Sequence, residues 1–198
     1  MNLETTLTKI SKQSIGEGRQ KILDAIVDYI QQKQQAGQVP QLNFICTHNS
    51  RRSQLSQVWA FVLSRYFDVP IASFSGGVEV TAFNANAVKA LETCGLDFQK
   101  QDAENPTYAL QYKGDRLDCF SKVYNDQTNP KNDFAAIMTC NHADQNCPYI
   151  PGADIRTPLT YNDPKISDGT PNQDAVYLER SLEIAGEMYY VFNKVANQ

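Results

Sequence analysis

What most limits the fold of this chain is an alternation of short apolar runs with segments of helical period. "QLNFICT", opened by Pro40, has strand length and ends at Cys46 and Thr47. From Ser50 to about Tyr66, the apolar residues Leu55, Val58, Trp59, Val62 and Leu63 recur at helical spacing. "VPIASFSGG" (69–77) is a second apolar run, closed by two glycines. "NANAVKALETCG" (84–95) then reads as a helix with an Asn cap and a Gly stop. "DFAAIMTC" (133–140) is a third buried strand, and a last helix runs from about Pro171 into "LEIAGEMYYVFNKV". Strands separated by helices pair in parallel through right-handed crossovers, which covers both faces of the sheet. The expected fold is α/β, an open parallel sheet of about four strands with helices on both faces. Residues 1–38 carry Ile22, Leu23, Ile26, Val27 and Ile30 at helical spacing before Gly37, so they read as an N-terminal helical extension to a domain spanning 39–198.

One segment breaks the rhythm. Thr107–Asn132 has alternating apolar residues around "KGD" and then a polar, proline-containing tail, as a hairpin or long excursion would. Its length suits a substrate or partner role, and equally a surface insertion.

Composition excludes several classes. The net charge of -4 and pI near 5.2 argue against nucleic acid as a partner. No apolar run approaches the roughly 18–20 residues that cross a bilayer, so no membrane association is expected. The first twenty residues lack the apolar core of an export signal, and the five cysteines are an odd number. The expected setting is cytoplasmic, with thiols that are catalytic, redox-active or buried.

"FICTHNSRRSQ" (44–54) carries the chemistry. In an open α/β sheet, ligands bind where a strand turns into the next helix, and Cys46 stands at such a turn. Backbone N–H groups from His48 to Ser53 form an anion nest, and the following helix adds its positive end. That field favours a thiolate nucleophile. Arg52 offers a planar fork for two oxygens of a tetrahedral anion, and Ser53 can hydrogen-bond the sulfur.

This stretch resembles the phosphate loop of the low-molecular-weight tyrosine phosphatases and of the thioredoxin-coupled arsenate reductases built on that fold. The likeness extends to "FNANAVKALETCGLDF" (83–98) and to Asp163–Pro164, over roughly residues 41–197. It implies that Cys46 is the nucleophile, Arg52 the anion clamp and Asn49 the residue that holds the loop's shape. Thr47, His48, Asn49, Ser50, Arg51, Arg52 and Ser53 would then surround the oxyanion. Two positions depart from the pattern: His48 stands where the family has Gly, and Arg51 where it has Cys. Gln57 replaces the acid of a potassium-binding subgroup, so no cation site or other cofactor is carried over.

"TCNHADQNCP" separates the two branches, because Cys140 and Cys147 lie seven apart just after the third strand. A phosphatase needs no such pair, whereas reduction of As(V) takes two electrons from thiols. The resemblance implies that Cys46 attacks arsenate, Cys140 resolves the adduct, and Cys147 takes over the disulfide for thioredoxin. The residues alone leave two other readings: inert core thiols, or half a zinc site with His142, for which His48 is the one further histidine. Asp163 matches the phosphatase general acid, though "DP" is also a common turn. Cys94 falls on an apolar helix face and reads as packing; Cys119 has no assigned role. The expected function is arsenate reduction. Hydrolysis of phosphotyrosine or small phosphomonoesters is the alternative, and non-catalytic oxyanion binding the third reading.

Overall fold

The computed structural model describes residues 1–146 and 149–197. Two helices, α1 (Leu3–Ile10) and α2 (Glu17–Gln35), precede the first strand. Then follow β1 (Gln41–Cys46), α3 (Arg52–Tyr66), β2 (Ala72–Gly77) and α4 (Ala85–Thr93). β3 (Phe98–Gln101), β4 (Thr107–Tyr112) and β5 (Asp115–Cys119) come next, and then β6 (Phe134–Met138) and the short α5 (Asn141–Asn146). β7 (Ala153–Pro158), a 3-10 turn (Pro164–Ser167) and α6 (Gln173–Ala196) complete the chain.

Four strands form a parallel sheet in the order β2-β1-β6-β7. The chain leaves β1 first toward β2 and later returns to its other side as β6. The sheet therefore changes direction at β1, and a crevice opens beyond its carboxyl end, where Cys46 lies. β1 and β6 are buried almost throughout, as strands covered on both faces are. α3 is buried over Ser53–Ser64, deeper than its apolar spacing suggests, because it lies between the sheet and α6. The Trp59 indole N–H donates to Ser181 Oγ at 3.0 Å and pins the two helices together.

α1 and α2 contribute Ile10, Leu23, Ile26, Val27 and Ile30 to the same core as Leu42, Phe44 and Trp59. Residues 1–38 thus share one hydrophobic interior with the rest of the chain. Asn84 caps α4 as expected, accepting from Asn86 N at 2.9 Å and Ala87 N at 3.3 Å.

The structure differs from the sequence reading in two elements. β7 was not anticipated: it is an edge strand, "ADIRTP", only partly buried and without apolar alternation. β3 joins β4 and β5 in a separate antiparallel sheet, also without an alternating signal. The β4–β5 hairpin around "KGD" is present. Tyr112 pairs with Asp115 across Lys113 and Gly114, whose φ values of 49° and 88° give the two-residue turn that matches strand twist.

Candidate active site

Residues 47–51 connect β1 to α3 and curl back over the end of the sheet. The curl requires a left-handed residue, and Asn49 supplies it with φ 46°. Its amide then holds the loop from within: Nδ2 donates to Ser53 Oγ at 2.9 Å, and Oδ1 accepts from Lys122 N at 2.9 Å. Ser53 Oγ lies 3.1 Å from Cys46 Sγ. Since that oxygen already accepts from Asn49, its single O–H is left to donate to the sulfur. A hydroxyl so directed stabilises charge on sulfur, both as nucleophile and as leaving group.

Gly77 faces Cys46 across the β1–β2 ladder. A Cβ there would come within 2.7 Å of Asn49 N and 2.8 Å of Thr47 O, so only glycine lets the strand lie against the loop.

Arg52 is fixed on two sides. One Nη donates to Tyr161 O at 3.1 Å and the other to Asp163 Oδ2 at 2.7 Å. Its Nε is buried without a partner among the described residues, a donor suited to an oxyanion. Tyr161 is itself held by α2 and α6. Its hydroxyl donates to Glu187 at 2.7 Å, and Arg19 grips that carboxylate at 2.6 and 2.9 Å. Burial and the neighbouring Glu187 carboxylate push the Tyr161 phenol well above its ordinary range.

Asp163 is the turn residue that "DP" suggested, and it also reaches the loop. Its carboxylate caps the 3-10 turn, accepting from Lys165 N at 3.0 Å, and it also reaches Arg52. Arg51 is held against α6 and the end of the 3-10 turn: its Nε donates to Tyr177 Oη at 2.9 Å, and its other nitrogens lie 3.7 Å from Asp168 and 4.0 Å from Asp163. His48 lies 3.4 Å from Glu79 at the loop's outer edge, and Ser50 Oγ donates to Ala82 O at 2.7 Å.

Cys140 is buried beyond the end of β6, in the same small apolar cluster as Cys46. Its sulfur is 3.4 Å from Thr47 Oγ1 and accepts from Ala143 N at 3.3 Å. Cys147 lies outside the described residues. The four described cysteines are free thiols. Burial pushes Cys94 up to about 11 and Cys119 up to about 12, which keeps both protonated and unreactive at neutral pH. Among the described residues, no group of three or more His, Cys, Asp or Glu side chains is arranged to hold a metal. No described helix is long and apolar enough to cross a membrane.

The sequence reading missed the loop's external brace. Ser121 Oγ donates to His48 O at 3.0 Å, Lys122 N to Asn49, and Gln54 Nε2 to Phe120 O at 2.9 Å. Gly77 N in turn donates to Lys122 O at 2.8 Å. The tail of the Thr107–Asn132 excursion thus clasps the phosphate loop, a use that neither reading of it foresaw. Its signal in sequence is the cluster of polar residues after Cys119.

No protein-family model matches the chain. Its sequence is similar to the arsenate reductase of Halalkalibacterium halodurans, 26% identical over 149 residues, covering 75% of this chain and 91% of that protein. The arsenate reductase of Bacillus subtilis is 28% identical over 143 residues, 72% of this chain and 87% of that one. Among solved structures, a low-molecular-weight protein tyrosine phosphatase from T. tengcongensis aligns with a TM-score of 0.54 at 17% identity, over 78% of this chain and 99% of that chain. An arsenate reductase in its oxidized state aligns with a TM-score of 0.52 at 16% identity, over 79% and 99%. At such identities, the structural likeness speaks for the fold.

Proposed function

The chain is a sequence relative of arsenate reductases on the low-molecular-weight phosphatase fold, and from that premise we propose that it reduces arsenate to arsenite by a three-thiol relay. The observation that carries this is Cys140. A second thiol stands at the rim of the oxyanion loop, tied to it through the Thr47 hydroxyl at 3.4 Å.

In this reading, the loop amides and Arg52 bind the tetrahedral anion, and the Cys46 thiolate displaces one oxygen of arsenate as water. Cys140 then attacks Cys46 Sγ. The sulfur–arsenic bonding pair stays on arsenic, As(V) becomes As(III), and arsenite leaves. Cys147 attacks Cys140 and frees Cys46, and a reduced dithiol such as thioredoxin removes the Cys140–Cys147 disulfide. Two electrons enter as thiols for each arsenate reduced. The relay requires a reducing compartment, which suits a cytoplasmic protein.

One observation favours a second activity at the same loop. Asp163 lies at its mouth on Arg52, where a carboxyl group can protonate the leaving oxygen of a phosphomonoester.

Steady-state arsenite production with thioredoxin, set beside hydrolysis of p-nitrophenyl phosphate, tests the proposal. Cys46→Ser abolishes both activities, and Arg52→Lys, which loses the planar fork, nearly does. Cys147→Ser keeps hydrolysis but stalls after one arsenate as a Cys46–Cys140 disulfide, visible in non-reduced peptides by mass spectrometry. Full thioredoxin-dependent turnover by Cys147→Ser would refute the relay.

A further inference from the structure

Thr47 Oγ1 contacts two groups at once: Cys140 Sγ at 3.4 Å and His142 Nδ1 at 3.3 Å. A hydroxyl has one proton to give and lone pairs to receive another, so these contacts make a continuous path from thiol to imidazole. We propose that His142, acting through Thr47, takes the proton from Cys140 and so arms the resolving thiol. The proposal deepens the reading above, since it concerns the step in which Cys140 attacks Cys46.

The geometry is specific to this chain's residues. Cys140 is buried, with 1% of its surface exposed, so its proton has no direct way into solvent. His142 is exposed on the outer side of α5, where a proton once received can be released. The step balances. The Cys140 S–H proton passes to Thr47 Oγ1 while the Thr47 O–H proton passes to His142 Nδ1. The electron pair left on Cys140 forms the bond to Cys46, and the imidazolium later releases its proton to water. His142 must hold its other proton on Nε2 for Nδ1 to accept.

The charged and titratable groups around this path are few. On β1 and its loop are Cys46, His48 beside Glu79, and Arg51 and Arg52, which are held by Asp168 and Asp163; Tyr124 packs on the same cluster as Cys140. On α5 is Asp144, which is paired at 2.7 Å with Arg156 of β7. None of these ion pairs lies on the thiol–hydroxyl–imidazole path, so the one base that Thr47 links to Cys140 is His142.

The test isolates Cys140. In Cys46→Ser/Cys147→Ser protein, the remaining thiols Cys94 and Cys119 stay protonated at about 11 and 12. Methyl methanethiosulfonate, small enough to enter, then reports Cys140 alone, as its thiolate attacks the sulfenyl sulfur and methanesulfinate departs. His142→Gln keeps an acceptor for Thr47 but takes no proton, and Thr47→Val cuts the path. Both should lower the rate at pH 7 by about a hundredfold, because general-base help of this kind is worth about 10²–10⁴ in rate. Added imidazole should restore the rate in His142→Ala, which lost packing would not allow. A rate at pH 7 unchanged in both His142→Gln and Thr47→Val would overturn the proposal. This readout needs no arsenate, so an intact path in a protein that makes no arsenite would fault the functional reading instead.

Discussion

Asn49→Ala removes the side chain on which the loop turns, and the structure sets the size of the effect. Asn49 is fully buried and holds φ 46°. Truncation strips the acceptor from the Lys122 N–H, and a buried donor left unsatisfied costs about 1–3 kcal/mol. Gln54 also loses a bond to Oδ1 but keeps Asn49 O and Phe120 O, so its share is small. Alanine in a left-handed conformation adds roughly 1 kcal/mol. The expected loss is therefore about 2–4 kcal/mol of folding stability. Asn49→Gly loses the same hydrogen bonds without the strain, and should be about 1 kcal/mol more stable than Asn49→Ala. Equilibrium urea unfolding measures both. Repeating it with phosphate reads anion binding from the rise in stability, which should shrink because Ser53 is no longer held to Cys46. A loss below about 0.5 kcal/mol in Asn49→Ala, or Asn49→Gly falling below Asn49→Ala, would refute the account.

Arg19→Ala should cost on the order of 3 kcal/mol in urea unfolding, because it leaves the buried Glu187 carboxylate with only the Tyr161 hydroxyl. It should also weaken phosphate binding, since Tyr161 O holds Arg52; unchanged phosphate affinity would disconnect α2 from the site. Amide exchange over residues 141–146 should be faster than in β6 when the protein is reduced, and should change when the Cys140–Cys147 disulfide forms. Identical protection in both states, with that disulfide confirmed, would remove the need for α5 to unwind.

The parallel sheet and the strand–loop–helix at Cys46 were legible because both are local. Apolar runs of strand length, helical spacing and the order of Cys, Asn, Arg and Ser all lie within a few residues of one another. What stayed hidden depends on contacts distant in sequence. β7 is an edge strand that needs no apolar alternation, because β6 and α2 supply its context. The brace from Phe120 to Lys122 acts through two backbone groups and the Ser121 hydroxyl, and the polar cluster after Cys119 that signals it does not say which loop it grips. Arg19 lies 168 residues from the Glu187 it grips, and no spacing rule connects them. Thr47 and His142 stand in motifs read separately, and only the pairing of β1 with β6 brings them together.

These contacts divide the site into a part that holds still and a part that can move. The phosphate loop is fixed from within by Asn49, from below by Gly77, from outside by residues 120–122, and at Arg52 by Tyr161 and Asp163. An anion site of hydrogen-bond donors works best when preorganised, since the donors need not be reoriented as charge shifts. The segment that follows β6 is built the other way. α5 has six residues, a length at which a helix has little stability of its own, and it is anchored chiefly through Ala143 and the Arg156–Asp144 pair. Residues seven apart in a continuous helix stand about 10.5 Å apart along its axis, beyond the 4.4–6.8 Å between Cα atoms that a disulfide spans. A disulfide between positions 140 and 147 would thus be incompatible with a helix running unbroken through both. The polar sequence "NHADQN" of α5 and its brevity keep the cost of opening low, while the loop that binds the oxyanion stays as it is.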